Sequence, residues 1–191
     1  MVYKLTRGGE VVIRLGKLDE PCNNGYDPAV PYPYNLYTIR CVGIPFNRPA
    51  DAMEAPDGTV WCTDGYGNTT LDQFSADGRL LRTVGGPSAE PGQFRLPHAL
   101  WIDGRGRIWM ADRDNHRVQL YDGKGNLIRC FGPIYPEGIP YGPSTLGGDG
   151  AYVLLRSEQP WHNRLPRSRL CTDWHDRSAL GIICPGSQHL R

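Results

Sequence analysis

Two stretches of this chain are copies of each other, and this internal repeat constrains the fold more than any other feature of the sequence. The first copy runs from residue 46 to 85 and the second from 94 to 132, with a one-residue gap near Gly67. A repeat period in the forties indicates a unit that cannot bury its own faces and must stack on neighbouring units. The residues shared by the two copies are Phe46/Phe94, Pro49/Pro97, Gly58/Gly106, Trp61/Trp109, Asp64/Asp112, Asn68/Asn115, Gly78/Gly125, Leu80/Leu127, Arg82/Arg129 and Gly85/Gly132.

Each copy contains four short apolar runs of strand length, which in the second copy are residues 99–103, 107–112, 118–121 and 127–131. The breaks between them are rich in glycine, aspartate and asparagine, which tolerate the positive φ values of tight hairpins. No segment shows a helical period. The sequence therefore predicts an all-β fold in which each copy is one four-stranded blade of a β-propeller.

The flanking segments read as parts of further blades. Residues 2–16 align without gaps to 118–132, and residues 141–155 resemble the opening of another blade. The predicted organisation is the end of a blade, a connector, two whole blades, the start of another blade, and an irregular arginine-rich tail that is either out-of-frame translation or a natural C-terminus. We therefore expect a fragment or a truncated propeller, and association with other copies to complete a ring is one open alternative. The segments are 1–16, 17–45, 46–93, 94–133, 134–155 and 156–191.

Composition and charge exclude several function classes. The chain has 191 residues and a net charge of +1, which gives no electrostatic reason to expect binding to DNA or an anionic membrane. No apolar run has the length of a membrane span, and no signal segment follows Met1, so the default expectation is a cytoplasmic protein, with secretion left open. The six cysteines are scattered without a CxxC pair and do not predict a disulfide framework.

The connector, residues 17–45, is long for a compact fold and contains five prolines and a cluster of four tyrosines. Loops of this length are commonly functional or disordered. The connector either covers one mouth of the ring or, as we expect, packs its tyrosines on the blade surface. The tyrosines are Tyr26, Tyr32, Tyr34 and Tyr37.

Four motifs in a fixed order carry a resemblance to a known family. They are FNRP-x-D at 46–51, DGYGN at 64–68, PGQF-x-LPH at 91–98 and ADR-x-N-x-R-x-Q at 111–119. The second copy resembles the NHL repeat, and the ordered set is similar to peptidyl-α-hydroxyglycine α-amidating lyase (peptidylamidoglycolate lyase). The resemblance covers roughly residues 2–132, and it departs from the family's pattern where Gly67 replaces a cysteine.

This resemblance implies a six-bladed propeller with a catalytic zinc near its axis and a calcium ion close by. It implies that His98, in the Leu-Pro-His motif, is one zinc ligand, while Tyr66 and Arg113 are catalytic. The reaction would split the C–N bond of a peptidyl-α-hydroxyglycine to give a peptide amide and glyoxylate, with zinc as Lewis acid. This chain holds only one Leu-Pro-His motif, and Ala50 fills the equivalent place in the first copy, so the implied zinc site is incomplete.

Plainer interpretations stand beside these. His98 is open to a structural role at a strand start, and Arg113 alone would be a solvated loop charge. We expect Asp64 and Asp112 to accept backbone N–H groups of the turns that follow them. We expect His116 and Arg117 to bridge strands or blades, and the tryptophans shared by the copies to be inter-blade core.

Two further functions remain as alternatives to an enzyme. A non-catalytic NHL propeller would bind a protein or peptide on its loop face. RNA binding would require a basic face, which the near-zero net charge disfavours. Zinc content and the effect of Tyr66→Phe distinguish the enzyme from the scaffold.

Overall fold

The computed structural model describes residues 1–132, 143–148 and 153–157, the last of these as backbone only. Strands dominate this part of the chain, and its only helical segments are two short 3₁₀ helices, Tyr34–Thr38 and Arg113–Asn115. The strands are β1 (Val2–Leu5), β2 (Val11–Leu15), β3 (Pro49–Glu54), β4 (Val60–Asp64), β5 (Thr70–Phe74), β6 (Leu80–Gly85), β7 (Pro97–Ile102), β8 (Ile108–Asp112), β9 (Arg117–Tyr121), β10 (Leu127–Phe131), β11 (Pro143–Gly148) and β12 (Val153–Ser157).

Both copies of the repeat form four-stranded antiparallel meanders, β3-β4-β5-β6 and β7-β8-β9-β10. Their registers are the same: Pro49 pairs with Asp64 as Pro97 pairs with Asp112, and in each blade a bulge follows the proline. A proline is tolerated here because it opens the strand at a bulge. The prediction of an all-β fold made of propeller blades is confirmed.

Two antiparallel hairpins, β1-β2 and β11-β12, flank the complete sheets. The first has the register of the two outer strands of a blade, with Val2 opposite Leu15 just as Val118 lies opposite Phe131. The second has the register of the two inner strands, with the bulge after Pro143 repeating the one after Pro97. β12 extends to Ser157, two residues beyond the position at which the sequence pattern stops. The remainder of the predicted arginine-rich tail lies outside the described residues.

The hydrophobic core lies between successive sheets rather than within one. Trp61 and Leu71 of the first blade pack with Leu100, Ile108 and other residues of the second. Trp109 belongs to the next cluster, where it packs with Leu146 of β11. The expectation that the two shared tryptophans are inter-blade core is therefore correct, and the stacking fixes where the inner strands lie relative to one another.

The residue directly before the innermost strand of each complete blade has a left-handed backbone conformation. Arg48 has a φ of 68° and Leu96 a φ of 58°, and both stand directly before the proline that opens the strand. Non-glycine residues rarely adopt this conformation, which costs on the order of 1–2 kcal/mol. The same entry recurs in both blades, and in the second blade it places His98 at the rim of the inner strand.

Asp64 and Asp112 are buried acceptors at equivalent positions of the two blades. Their carboxylates accept the backbone N–H of Asn47 (2.6 Å) and Arg95 (2.7 Å), which precede the inner strands. The sequence prediction placed these bonds in the turns that follow, and it was wrong because the following asparagines donate with their side chains instead. The aspartates thus tie the end of the second strand to the entry of the first.

The two blades differ in the side chains that surround and hydrogen-bond their buried carboxylates. In the second blade Arg117 Nε donates to Asp112 (2.7 Å) and extends to the carbonyls of Glu90 and Gln93 (both 2.8 Å), so Arg117 bridges strand and loop as expected. In the first blade Thr70 stands at that position. A second carboxylate, Asp72, replaces Gln119 there and accepts from the Thr83 hydroxyl (2.6 Å).

Replacing Asp72 by asparagine is expected to stabilise the chain above neutral pH. Burial raises the pKa of Asp72 to about 7, whereas an unfolded aspartate ionises near pH 4. The unfolded state therefore loses its proton first, and the wild-type free energy of unfolding falls as the pH rises from about 4 to about 7. Asp72→Asn removes this contribution and supplies an amide, as Gln119 does in the second blade.

We expect the variant to gain about 1–3 kcal/mol over wild type at pH 8 and little at pH 4, measured by urea unfolding. Asp19→Asn, at an exposed connector position, is the matched control and should keep the wild-type pH dependence. An equal gain at both pH values would show that ionisation of Asp72 is not the cause.

Candidate functional site

Tyr66 and His98, which belong to different blades, meet at one loop face. Tyr66 follows the end of β4, and His98 is the second residue of β7. The Tyr66 hydroxyl lies 2.8 Å from His98 Nε2, and the rings meet edge to face with their centroids 5.5 Å apart. Tyr66 is 40% exposed and His98 half-buried, so a ligand has access to the pair.

The surroundings of His98 define its tautomer. Its Nδ1 lies 2.8 Å from the backbone carbonyl oxygen of Ser144, at the start of β11. A carbonyl oxygen only accepts, so Nδ1 carries the proton and donates. Nε2 then has a lone pair, and Tyr66 donates its hydroxyl proton to it. Residues of three successive sheets thus converge on one imidazole, which in its neutral form presents the Nε2 lone pair to the Tyr66 hydroxyl.

Glycines allow the Tyr66 loop to approach the second blade. A Cβ atom on Gly65 would lie 2.2 Å from the Pro97 carbonyl oxygen, and one on Gly67 would lie 2.6 Å from the Asn47 carbonyl oxygen. Real Cβ atoms do not come this close to backbone. The two glycines of the DGYGN motif therefore allow one backbone segment to approach another closely, and this places Tyr66 beside His98.

Gly65→Ala is expected to separate the two side chains. The new methyl would force the loop away from Pro97, because the obstacle is backbone and cannot rotate aside. We expect the His98 imidazole NMR signals to lose the shift caused by the Tyr66 hydrogen bond, with a destabilisation of about 1–3 kcal/mol from overpacking. Gly104→Ala is the matched control, because a Cβ there meets open space. Unchanged His98 signals in Gly65→Ala would contradict this account.

Arg113 opens the 3₁₀ helix that follows β8. Its backbone N–H donates to the Leu96 carbonyl (3.1 Å), which places it at the entry of the strand that carries His98. The residue is only 6% exposed, so the interpretation of Arg113 as a solvated loop charge is wrong. Burial raises the pKa of the neighbouring Asp114, while the Tyr32 hydroxyl and the Arg113 charge act in the opposite direction.

The connector forms hydrogen bonds with the loop that carries Tyr66 and with the loop that carries Arg113. Asn24, fully buried, donates its side-chain amide to the Gly67 carbonyl (2.8 Å) beside Tyr66. The Tyr32 hydroxyl lies 3.1 Å from Asp114, the residue after Arg113. Tyr26 bonds to Arg48 in the first blade (3.0 Å). These three contacts place the connector on the blade loops, as the interpretation of tyrosines packing on the blades requires.

The sequence analysis missed two contributors to the site. Ser144 is the residue of the next sheet that is equivalent to His98. The repeat alignment identifies it, because Pro143 aligns with Pro97. Its side chain carries no signal because the carbonyl makes the contact. Asn24 lies in a segment without a repeat frame, and no sequence signal identifies it.

The two ring nitrogens of His98 are arranged as they would be in a single zinc ligand. His98 Nε2 is the deprotonated nitrogen that a metal requires, and its Nδ1–H is held by a carbonyl, the usual support of a ligating histidine. No group of three or more metal-binding side chains is found within the described part of the chain. Helices long and apolar enough to cross a membrane are likewise absent from these residues.

Known proteins match this chain over about half its length. It is 31% identical over 117 residues to human NHL repeat-containing protein 3, covering 58% of this chain and 32% of that protein. It is 34% identical over 104 residues to the probable peptidyl-alpha-hydroxyglycine alpha-amidating lyase of Caenorhabditis elegans, covering 52% and 29%. It is 36% identical over 91 residues to peptidyl-glycine alpha-amidating monooxygenase B of Xenopus laevis, covering 44% and 10%. No protein-family model matches the chain.

The repeated four-stranded sheets, stacked through inter-blade cores, together with these similarities define an NHL-repeat β-propeller. Within that class the chain resembles peptidyl-α-hydroxyglycine α-amidating lyase, at modest identity. The chain spans about a third of the length of the NHL repeat-containing protein that it matches.

Proposed function

We propose that this chain carries part of a lyase site that converts a peptidyl-α-hydroxyglycine into a peptide amide and glyoxylate. The observation that carries the proposal is the 2.8 Å hydrogen bond from the Tyr66 hydroxyl to His98 Nε2. Both residues stand at the positions that the resemblance assigns to catalysis. The C. elegans and X. laevis proteins that share this region are named for peptide amidation.

Tyr66 is the proposed proton acceptor. The substrate loses a proton from its α-hydroxyl, the carbon–oxygen bond becomes a carbonyl, and the carbon–nitrogen bond breaks. The departing amide nitrogen takes up one proton, so no net proton is consumed. Tyr66 relays this proton: its phenolic oxygen accepts the proton of the substrate hydroxyl as the Tyr66 proton passes to the departing nitrogen, so His98 Nε2 stays available to hold zinc.

Arg113 and the connector supply substrate binding in this proposal. A buried guanidinium binds a carboxylate strongly because its attraction is not screened by water, and the substrate ends in a carboxylate. The peptide portion lies on the loop face, where the tyrosines of the connector border the site. Tyr34 and Tyr37 of the connector are 68% and 62% exposed, so their rings are accessible to a peptide.

His98 Nε2 is the atom that would hold zinc. A zinc ion supplies Lewis-acid stabilisation of the substrate's oxygen atoms. Calcium has no independent support in the described residues.

Zinc binding and lyase activity test the proposal together. The purified 191-residue chain is titrated with Zn²⁺ by calorimetry and assayed for glyoxylate release from a peptidyl-α-hydroxyglycine. We expect His98→Ala to lower zinc affinity at least about 10-fold and to abolish glyoxylate release. His116→Ala is the matched control, since it removes the other histidine of the described residues and leaves the Tyr66–His98 pair in place.

Zinc affinity that does not depend on His98 would overturn the metal role. The absence of glyoxylate release by zinc-loaded protein would overturn the lyase activity. Retained binding of a peptide without turnover would instead support a scaffold.

A further inference from the structure

Arg48 is an exposed arginine at the rim of the candidate site. It stands directly before β3, and its backbone carbonyl accepts the N–H of Tyr66 (3.4 Å). The entry to the first blade and the loop that carries Tyr66 therefore lie side by side. A ligand that reaches the Tyr66 hydroxyl passes close to the Arg48 side chain.

The connector fixes the position of the Arg48 guanidinium. Its Nη1 donates to the Tyr26 hydroxyl (3.0 Å), and the guanidinium carbon lies 5.1 Å from the centre of the Tyr26 ring. Tyr26 is held in turn, because its hydroxyl is 3.0 Å from Asn35 Nδ2 and its backbone N–H donates to Asn24 Oδ1 (3.1 Å). Both asparagines are buried. Ordering an arginine side chain costs conformational entropy, and here the side chain is already ordered before a ligand arrives.

The Arg48 guanidinium retains donors for an anion. A guanidinium is a planar fork of N–H groups that matches the geometry of a carboxylate, and Tyr26 engages only Nη1. Arg117, by contrast, is paired with the buried carboxylate of Asp112 (2.7 Å). The salt bridges found in the described part of the chain do not include Arg48. Its chemistry therefore favours a carboxylate brought by a ligand.

Each member of the Tyr66–His98 pair has an arginine beside it. Arg48 contacts the backbone of Tyr66, and Arg113 donates its N–H to Leu96, two residues before His98. In the proposed function Arg113 binds the terminal carboxylate of the substrate. Arg48 is then placed for a second carboxylate, farther along the peptide.

We propose that Arg48 and Tyr26 form a subsite for an acidic side chain in the peptide portion of the substrate. This inference rests on the proposed lyase site, because that site fixes where the hydroxyglycine lies. One residue of extended chain spans at most about 3.6 Å, so a side chain one or two residues before the hydroxyglycine reaches a loop that adjoins Tyr66. The preferred substrates are therefore peptides with aspartate or glutamate directly before the hydroxyglycine.

Peptide binding tests the subsite without requiring turnover. Fluorescein-labelled peptides that end in Glu-Glu-Gly, Gln-Gln-Gly or Lys-Lys-Gly are titrated with the full chain, and fluorescence anisotropy gives each Kd. They carry the terminal carboxylate of the substrate but lack its α-hydroxyl, so they are not cleaved. We expect the wild type to bind the glutamate peptide about 3- to 10-fold more tightly than the glutamine peptide, and this preference should weaken in high salt.

Substitutions assign the preference to the subsite. Arg48→Gln is expected to abolish it, and Arg48→Glu to turn it toward the lysine peptide. Tyr26→Phe keeps the ring against the guanidinium and loses the hydroxyl, so it should retain a reduced preference. Arg7→Gln is the matched control, because it removes the same charge at an exposed position between β1 and β2 and should keep the wild-type preference.

The outcomes separate this subsite from the lyase activity. A wild type that binds none of the peptides, binds the three equally, or keeps its preference in Arg48→Gln would overturn the subsite. Glyoxylate release from the corresponding peptidyl-α-hydroxyglycines without a preference for the acidic one would overturn the subsite and support the lyase. Binding that depends on Arg48, without any glyoxylate release, would support the subsite and overturn the lyase.

Discussion

Replacing Tyr66 with phenylalanine is expected to lower the turnover of a peptidyl-α-hydroxyglycine by about 10²- to 10⁴-fold. The variant keeps the ring that packs against His98 and loses only the hydroxyl that donates to Nε2. The proposed proton acceptor is removed while the remaining contacts of the loop persist. The effect is expected in kcat with KM changed little, measured by glyoxylate release.

Zinc affinity separates a chemical role of Tyr66 from a structural one. Tyr66→Phe frees His98 Nε2, so zinc should bind at least as tightly as in the wild type. Tyr3→Phe, at an exposed tyrosine of β1 outside the connector, is the matched control and should leave turnover unchanged. A full-activity Tyr66→Phe enzyme, or one whose loss is confined to KM, would contradict proton transfer by Tyr66.

Asp112→Ala is expected to cost about 3–5 kcal/mol of unfolding free energy, because it leaves a buried guanidinium without its carboxylate. Asp112 is fully buried and Arg117 nearly so, with Nε 2.7 Å from the carboxylate. Asn115 and Gln119 donate to the same oxygen atom. Such a loss is a large part of the stability of an ordinary domain, and urea unfolding followed by tryptophan fluorescence measures it.

The first blade provides the control for this prediction. Asp64→Ala removes the equivalent buried carboxylate. Thr70 occupies the position of Arg117 in this blade, so no guanidinium is left unpaired. Burial raises the pKa of both Asp64 and Asp112 to about 6, so both carboxyl groups are mostly ionised at pH 7 and the blades differ in the ion pair. We expect a cost of about 1–3 kcal/mol, from lost hydrogen bonds alone. Equal costs in the two blades would show that the ion pair adds nothing.

The sequence predicted the blades because their causes are local and repeated. Hairpin turns require glycine, aspartate and asparagine at fixed intervals, and apolar strands of five or six residues lie between them. The same signals predicted the flanking half-blades. They did not reveal that these hairpins repeat a full blade's register down to the bulge after Pro143, because pairing is a property of two segments.

The candidate site was predicted only in part. The ordered motifs identified His98, Tyr66 and Arg113, and the roles of His98 as a zinc ligand and of Tyr66 and Arg113 in catalysis remain predictions. The burial of Arg113 and the anchoring of the connector through Asn24 were not predicted, because both depend on segments remote in sequence.

The sequence by itself determined an all-β repeat with the entry residues, turns and core tryptophans of two stacked blades. Only the tertiary structure decided that Tyr66 faces His98, and that the Ser144 carbonyl directs the imidazole's lone pair toward it. The reason is physical. A turn or a strand is specified by neighbours along the chain, whereas a side chain's hydrogen-bond partner and tautomer are set by whichever strands the stacking brings together.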